Sequence, residues 1–210
     1  MVADGFPQDW IDGESNVSHI KLADAHSDYG NTPRGIGALL AASEGADQIC
    51  FLDADNIIDA DHLETCLDTA KNNPDCKFVI ARRRFVFPDG TPAEVLEEED
   101  HVDTSCFFML PGTFHLFSHL ILQPKQMSPG GDRVFLACLT FNKLKSAVCE
   151  KVTVTYTTNY LTHYNWVGKP APSNATRPVD FGDLHKWWAT LSPREKGIVQ
   201  RNVGFPIDLS

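Results

Sequence analysis

Gln48-Ile49-Cys50-Phe51-Leu52-Asp53-Ala54-Asp55-Asn56 is the stretch on which the fold turns. Four apolar residues run straight into two aspartates one residue apart. The apolar run is short, partly β-branched or aromatic, and does not alternate, which is the pattern of a strand buried on both faces. The aspartates then stand where that strand emerges. In open α/β sheets, ligands bind beyond the carboxyl ends of the strands. Two carboxylates crowded there repel one another unless a cation joins them. An all-oxygen donor set suits Mg2+ or Mn2+, ions that keep waters and take substrate phosphates as further ligands.

On either side of this stretch, strand and helix patterns alternate. Val2-Ala3-Asp4-Gly5 reads as the tail of a strand and a turn, and Val17–Leu22 alternates as a half-exposed strand. Asp28–Gly35 reads as a loop, followed by a helix carrying Ile36, Leu39 and Leu40 and ended by Gly45. After the acidic motif, Asp61 with Glu64 has the form of a capping box for a helix that reaches Asn73 and stops at Pro74. Lys77–Val86 reads as a strand, Pro88-Asp89-Gly90 as a turn, Glu94–Asp103 as an exposed acidic segment and Ser105–Leu110 as a strand. Pro111 opens a helix with Phe114, Phe117, Leu120 and Ile121. Met127–Asp132 reads as a flexible loop, Arg133–Lys145 as a helix burying Val134, Leu136, Ala137 and Phe141, and Val148–Thr157 as a strand. A Pro- and Asn-rich stretch then runs to about Pro178. Ser192-Pro193-Arg194-Glu195 caps a last helix. Trp187 and Trp188 read as packing residues of the C-terminal helical part. The succession predicts an α/β sandwich with a mainly parallel sheet.

Composition sets bounds on the partners. The 210 residues are 42% hydrophobic and 22% charged, enough to bury a core, and the formal net charge is −10. That charge argues against a nucleic-acid backbone or an anionic membrane surface, but not against a nucleotide held through a metal ion and backbone amides. No apolar run has the length of a transmembrane span, and no signal peptide is visible. The six cysteines form no Cys-x-x-Cys pair, and Cys50, Cys106 and Cys138 lie in apolar runs. They read as buried free thiols in a reducing, cytoplasmic setting, where the sequon Asn174-Ala175-Thr176 is a chance match. A calcium loop over Asp53, Asp55, Asp59, Asp61 and Glu64 is rejected. Its turn needs glycine where Ile58 stands and an oxygen ligand where Ile57 stands.

The order of these features resembles an inverting family 2 glycosyltransferase of GT-A fold. Asp53-Ala54-Asp55 resembles the Asp-x-Asp motif of that family. Val2-Ala3-Asp4-Gly5 resembles the strand end whose aspartate binds the nucleotide base. Thr32–Leu39 resembles the segment before the helix that precedes the metal motif, with Arg34 in the position of its arginine. Gly130-Gly131-Asp132 resembles the Glu-Asp pair before a helix, Gly131 standing where the glutamate would be. The resemblance covers about Met1 to Tyr164. It implies a GT-A-like, Rossmann-like three-layer sandwich over residues 1–168 and a C-terminal extension over 169–210. The usual first strand and helix of the family have no counterpart before Asp4. An open edge of that kind is compatible with a homo-oligomer.

The resemblance implies an Mn2+- or Mg2+-dependent transfer of a sugar from a UDP- or GDP-sugar to a saccharide or other hydroxyl acceptor. Asp55 is expected to ligate the metal and Asp53 to touch the ribose or a metal-bound water. Asp4 is expected on the base, Arg34 on a phosphate and His163 as a further metal or phosphate ligand. Asp132 is the candidate general base and Asp103 the second candidate. Each has a plainer reading: an acidic turn for Asp53 and Asp55, a helix cap for Asp132, the end of the acidic run for Asp103, and a packed or exposed side chain for His163 and Arg34. The Arg82-Arg83-Arg84 run reads as a solvated strand end or as a hold on an anionic acceptor. A nucleotidyltransferase is disfavoured by the lack of a Gly-rich basic loop near the N-terminus. A non-catalytic nucleotide- or protein-binding domain of the same fold stays open as the alternative.

Overall fold

The structure is a computed structural model and describes residues 1–95, 101–177 and 182–209. The acidic run Glu97–Asp100 and the end of the Pro-rich stretch at Pro178 lie outside the described residues. The chain divides into two compact units, one formed by Met1–Ile49, Pro111–Asn142 and Gly182–Ser210, the other by Cys50–Leu110 and Lys143–Phe181. Among the described residues no helix is long and apolar enough to cross a membrane.

In the first unit, β1 (Val2–Asp4) pairs in parallel with β2 (Ile20–Leu22), Val2 opposite Ile20 and Asp4 opposite Leu22. Helix α1 (Asn31–Ser43) follows. It starts earlier than expected, because Asn31-Thr32-Pro33 already forms its first turn. The Asp28 carboxylate accepts from the Thr32 backbone N–H at 2.8 Å, and Pro33 sits where no intrahelical donor is needed. Small residues let α1 press close to its neighbours. A Cβ on Gly35 would lie 2.4 Å from Ile121 Cγ1, on α3 (Ser118–Ile121), and one on Gly37 would lie 3.1 Å from Val2.

Helix α4 (Gly131–Phe141) buries Phe135, Cys138 and Leu139, not the expected Val134, Leu136, Ala137 and Phe141, the last of which is 55% exposed. The helix begins at Gly131, and its packed stripe runs from there at intervals of four, three and one residues, a helical face one step round from the predicted one. Helix α7 (Pro193–Val203) has the capping box read from the sequence. The Glu195 backbone N–H donates to Ser192 Oγ at 3.3 Å, and the Ser192 N–H donates to Glu195 Oε2 at 2.8 Å. Trp188, on α6 (Gly182–Thr190), is buried with Met127, Val199 and Val203, and Trp187 packs on the margin of that cluster.

The second unit is built on a six-stranded sheet. Its strands are β3 (Ile49–Cys50), β4 (Ile57–Ile58), β5 (Phe78–Val86), β6 (Pro92–Ala93), β7 (Phe107–Met109) and β8 (Ser146–Thr157). Their order is β3-β7-β5-β8-β4, with β6 added on β5. The long central pair β5–β8 is parallel, from Phe78 opposite Ser146 to Val86 opposite Thr157. β7 and β6 run antiparallel to β5, and β4 runs antiparallel to β8. The fold is thus α/β, but this sheet is mixed where a mainly parallel one is expected. Parallel pairing needs a long crossover. The parallel pair β5–β8 has one, through β6, β7, α3 and α4, whereas β5 turns straight into β6 at Pro88-Asp89-Gly90.

Helix α2 (His62–Asn72) turns His62 and Cys66 inward. A short helix that the sequence reading did not anticipate, α5 (Leu161–Trp166), brings Tyr164 onto Phe87 with ring centroids 4.4 Å apart. The arginine run follows the strand period. Arg82 and Arg84 face out and Arg83 is buried, its guanidinium 4.7 Å from the Phe85 ring. Arg84 is paired with Asp59 at 2.5 Å.

Candidate functional site

The acidic motif leaves the sheet sooner than its apolar run suggests. β3 ends at Cys50, Phe51 is buried, and Leu52 is 53% exposed, so the strand is not covered on both faces along its length. Phe51 is the last anchor before the chain turns. Asp53-Ala54-Asp55-Asn56 is a tight turn, closed by the Asn56 N–H donating to the Asp53 carbonyl at 3.0 Å.

Asn56 fixes this turn from beneath. Its side chain is buried, its Nδ2 donates to Ser105 Oγ at 2.9 Å and to Asp103 Oδ1 at 3.3 Å, and its Oδ1 accepts from the Thr157 N–H at 3.2 Å. Asp103 is itself buried and caps the short 3-10 turn Thr104–Cys106, accepting from the Ser105 N–H at 2.9 Å. The same turn reaches Asp53 twice. Ser105 Oγ accepts from the Asp53 N–H at 3.3 Å, and Thr104 Oγ1 donates to Asp53 Oδ2 at 3.4 Å. Asp53 is therefore half-buried and held, while Asp55 is exposed and has no hydrogen-bond partner among the described residues.

Tyr156, on β8, shares this environment. Burial pushes its phenol well above the ordinary range, and the charges of Asp103 and Asp55 push it further, against the opposing pull of Arg83. The Arg83 guanidinium stacks 5.3 Å from the Tyr156 ring and donates to the His101 carbonyl at 3.4 Å. A buried cation thus lies on the flank of the carboxylates. His163, on α5, sits among rings. It is 5.8 Å from Phe85 and 5.2 Å from Trp166, with Nδ1 2.6 Å from Thr158 Oγ1.

The remaining sequence candidates belong to the first unit. Asp4 accepts from the His26 backbone N–H at 3.0 and 3.1 Å through its two oxygens and meets His26 Nδ1 at 2.7 Å. Burial raises its pKa, but the His26 ring, backbone N–H and charge outweigh that and hold the carboxyl below its ordinary value. Arg34 folds back over Gly30 and donates to the Tyr29 carbonyl at 2.7 Å. The loop it clasps carries left-handed backbone at Ser27 (φ 52°), Tyr29 (φ 60°) and Gly30 (φ 81°).

Asp132 lies in the first turn of α4, two residues further in than the cap Gly130, and its Oδ1 accepts from the Arg133 N–H at 2.7 Å. A carboxylate there is favoured by the helix dipole. Gly131 is required beside it, because a Cβ would lie 2.4 Å from the Asn31 amide. This accounts for glycine where the resemblance has glutamate.

Asp53, Asp55 and Asp103 are therefore brought into one hydrogen-bonded and electrostatic group with Tyr156, whereas Asp4, Arg34 and Asp132 occupy three separate settings in the first unit. Among the described residues no three His, Cys, Asp or Glu side chains form a cluster that holds a metal. A magnesium-type site needs only one or two carboxylates with substrate phosphates and water, and the all-oxygen pair Asp53 and Asp55 fits that requirement. Sequence reasoning gave no role to Asn56, Thr104, Ser105 and Tyr156. Asn56 was detectable as an amide directly after the acidic pair, the others only through the fold. No protein-family model and no curated protein matches the chain.

Proposed function

We propose that this chain is a GT-A-like, metal-dependent inverting glycosyltransferase that uses a nucleoside-diphosphate sugar. The observation that carries this reading is the Asp53–Asn56 turn. It holds one carboxylate rigidly and presents the next to solvent at the end of a strand.

Asp55 would take the divalent ion together with the donor diphosphate, and Asp53 would orient its waters or the ribose. The bound ion supplies Lewis-acid stabilisation of the charge that grows on the diphosphate leaving group. Asn56 and Asp103 act on the turn as positioning residues, Asp103 Oδ1 being taken up by Asn56 and Ser105. Inversion also calls for a base that takes up the proton of the acceptor hydroxyl as it attacks. One observation favours the alternative of a binding domain without turnover. Asp4, the expected base-binding carboxylate, is already engaged by His26.

The test is thermal stability against a panel of nucleoside diphosphates with and without Mn2+, on the wild type and on Asp55→Ala. A ligand at 100 times its dissociation constant adds about 2.7 kcal/mol. The expected result is a shift that needs both nucleotide and metal and is lost in the variant. No shift with any nucleotide rejects the donor site. A shift without sugar transfer to any acceptor supports the binding domain instead.

A further inference from the structure

The buried face of α2 carries a group of reactive side chains that the proposed chemistry does not use. His62 and Cys66 lie one helical turn apart, and Cys149 faces them from β8. The two sulfurs are 3.9 Å apart. The Thr69 hydroxyl lies 3.4 Å from Cys149 Sγ and 2.8 Å from the Thr65 carbonyl, its one proton available to either. On the other side, His62 Nε2 lies 4.0 Å from Cys66 Sγ, and His62 Nδ1 lies 2.9 Å from Thr153 Oγ1. Cys66 and Cys149 are fully buried, and His62 is nearly so.

We infer that Cys66 and Cys149 are a redox pair that peroxide converts to a disulfide tying α2 to β8, and that a thiol reductant reopens. The sulfurs need to close from 3.9 Å to about 2.0 Å, a distance within the reach of side-chain rotation. The two thiols are not equivalent. Its contact with Cys66 holds the Cys149 thiol below the ordinary range against the effect of burial, and the Thr69 hydroxyl and the Arg82 charge assist. The contact with Cys149, followed by burial, pushes Cys66 up. Cys149, beside the Thr69 hydroxyl, is the attacking sulfur of this proposal, and Cys66, beside His62 Nε2, is the one that resolves it. Burial pushes the His62 imidazole down, against Asp59 and Asp61, so it is neutral. With its proton on Nδ1 toward Thr153, Nε2 presents a lone pair to Cys66.

The chemistry balances with hydrogen peroxide as oxidant. The Cys149 thiolate attacks one peroxide oxygen and the O–O bond breaks, leaving a sulfenic acid on Cys149 and hydroxide. The hydroxide takes up the proton that Cys149 had lost. Cys66 sulfur then attacks the sulfenic sulfur, and the S–O bond breaks. The proton of Cys66 passes by way of His62 Nε2 to the departing hydroxide. Two thiols and one peroxide become one disulfide and two waters. Because both sulfurs are buried, the reaction waits on local opening of α2 or entry of the small oxidant. The bond would close a loop between residues 83 apart in sequence and join the helix that follows the acidic turn to the strand whose Thr157 holds Asn56.

The test treats the folded protein with hydrogen peroxide, quenches in acid, denatures, alkylates and maps peptides by mass spectrometry. The expected product is a Cys66–Cys149 cross-linked peptide, lost on treatment with dithiothreitol, together with a rise in the melting temperature of the oxidised protein. Cys66→Ser should abolish the cross-link and leave Cys149 as a sulfenic acid trapped by dimedone. Recovery of both cysteines as alkylated thiols from oxidised wild type would overturn the inference, as would a cross-link between any other pair. Both readouts use the wild type, so they stand even where a serine variant fails to fold.

Discussion

Replacing Asn56 by alanine tests whether the acidic turn is held in place or merely lies where it does. The substitution removes three hydrogen bonds at once. Asp103 keeps the Ser105 N–H but loses the Asn56 amide, one of its donors, inside a buried setting, and a hydrogen bond to a carboxylate is worth about 1.5–3 kcal/mol. The Thr157 N–H is part-buried, so water can reach it in part, and its loss adds about 0.5–1 kcal/mol. The Ser105 hydroxyl oxygen loses one donor but still accepts from the Asp53 N–H, and adds little. The expected destabilisation is about 2–4 kcal/mol, read as a lower urea midpoint at unchanged slope. The double variant with Ser105→Ala should cost less than the sum of the two single changes by about 0.5 kcal/mol or more, because the two side chains share one network. Nucleotide-plus-Mn2+ stabilisation should fall as well, since the turn loses its support. A cost for Asn56→Ala within about 0.5 kcal/mol of zero, the range of ordinary surface changes, would refute the reasoning.

Gly131→Ala should destabilise by about 1–3 kcal/mol, because its Cβ must push away the Asn31 amide 2.4 Å off, and Asn31→Ala should recover part of that loss in a thermal melt. Trp188→Ala should cost about 3–5 kcal/mol and Trp187→Ala clearly less, since only Trp188 is buried in the core of its cluster; chemical denaturation compares them. Asp4 has its pKa lowered from 3.8 on folding, so its link to His26 contributes stability that is complete well above pH 3.8 and is lost as the pH falls through and below that value. Melting temperatures between pH 6 and pH 2.5 should therefore fall less steeply in Asp4→Asn than in the wild type.

Local signals were the legible part of this sequence. The cap at Ser192, the Pro88-Asp89-Gly90 turn and the long strands β5 and β8 depend on neighbours in the chain, and each lies where its residues place it, whereas Asp61 precedes α2 without closing the expected capping box, its carboxylate being paired with Lys151. Tertiary partners decided what was missed. Strand direction in the sheet was misjudged because a strand's own residues do not say whether its neighbour arrives by hairpin or by crossover. The buried face of α4 was set by where the helix starts, and Gly131 opens it because of Asn31, a hundred residues earlier in the chain. Asp103 read as the end of an acidic run, but it is buried because Asn56 and the Ser105 N–H come to meet it. Helix α5 is short and rich in aromatic residues with weak intrinsic preference, and its packing on Phe87 and Phe85 supports it.

In the metal site proposed for the acidic turn, holding and binding would be separate tasks divided between the two aspartates. A carboxylate that accepts from Thr104 and whose own N–H is taken by Ser105 has lost part of its hydration and is fixed in direction. Asp55, two residues on, is exposed to solvent. A strongly hydrated divalent ion exchanges water for ligands reluctantly, so a solvated carboxylate can collect it with little desolvation cost. In that proposal the held one would limit where the ion settles. The same division accounts for the surroundings. The acidic group raises local negative potential on a chain already carrying a net charge of −10, and the buried Arg83 beside Tyr156 offsets part of it without sitting in the turn itself. An acidic turn with only a capping role would need neither the buried amide of Asn56 nor the buried carboxylate of Asp103 beneath it, because a cap is satisfied by the backbone it caps.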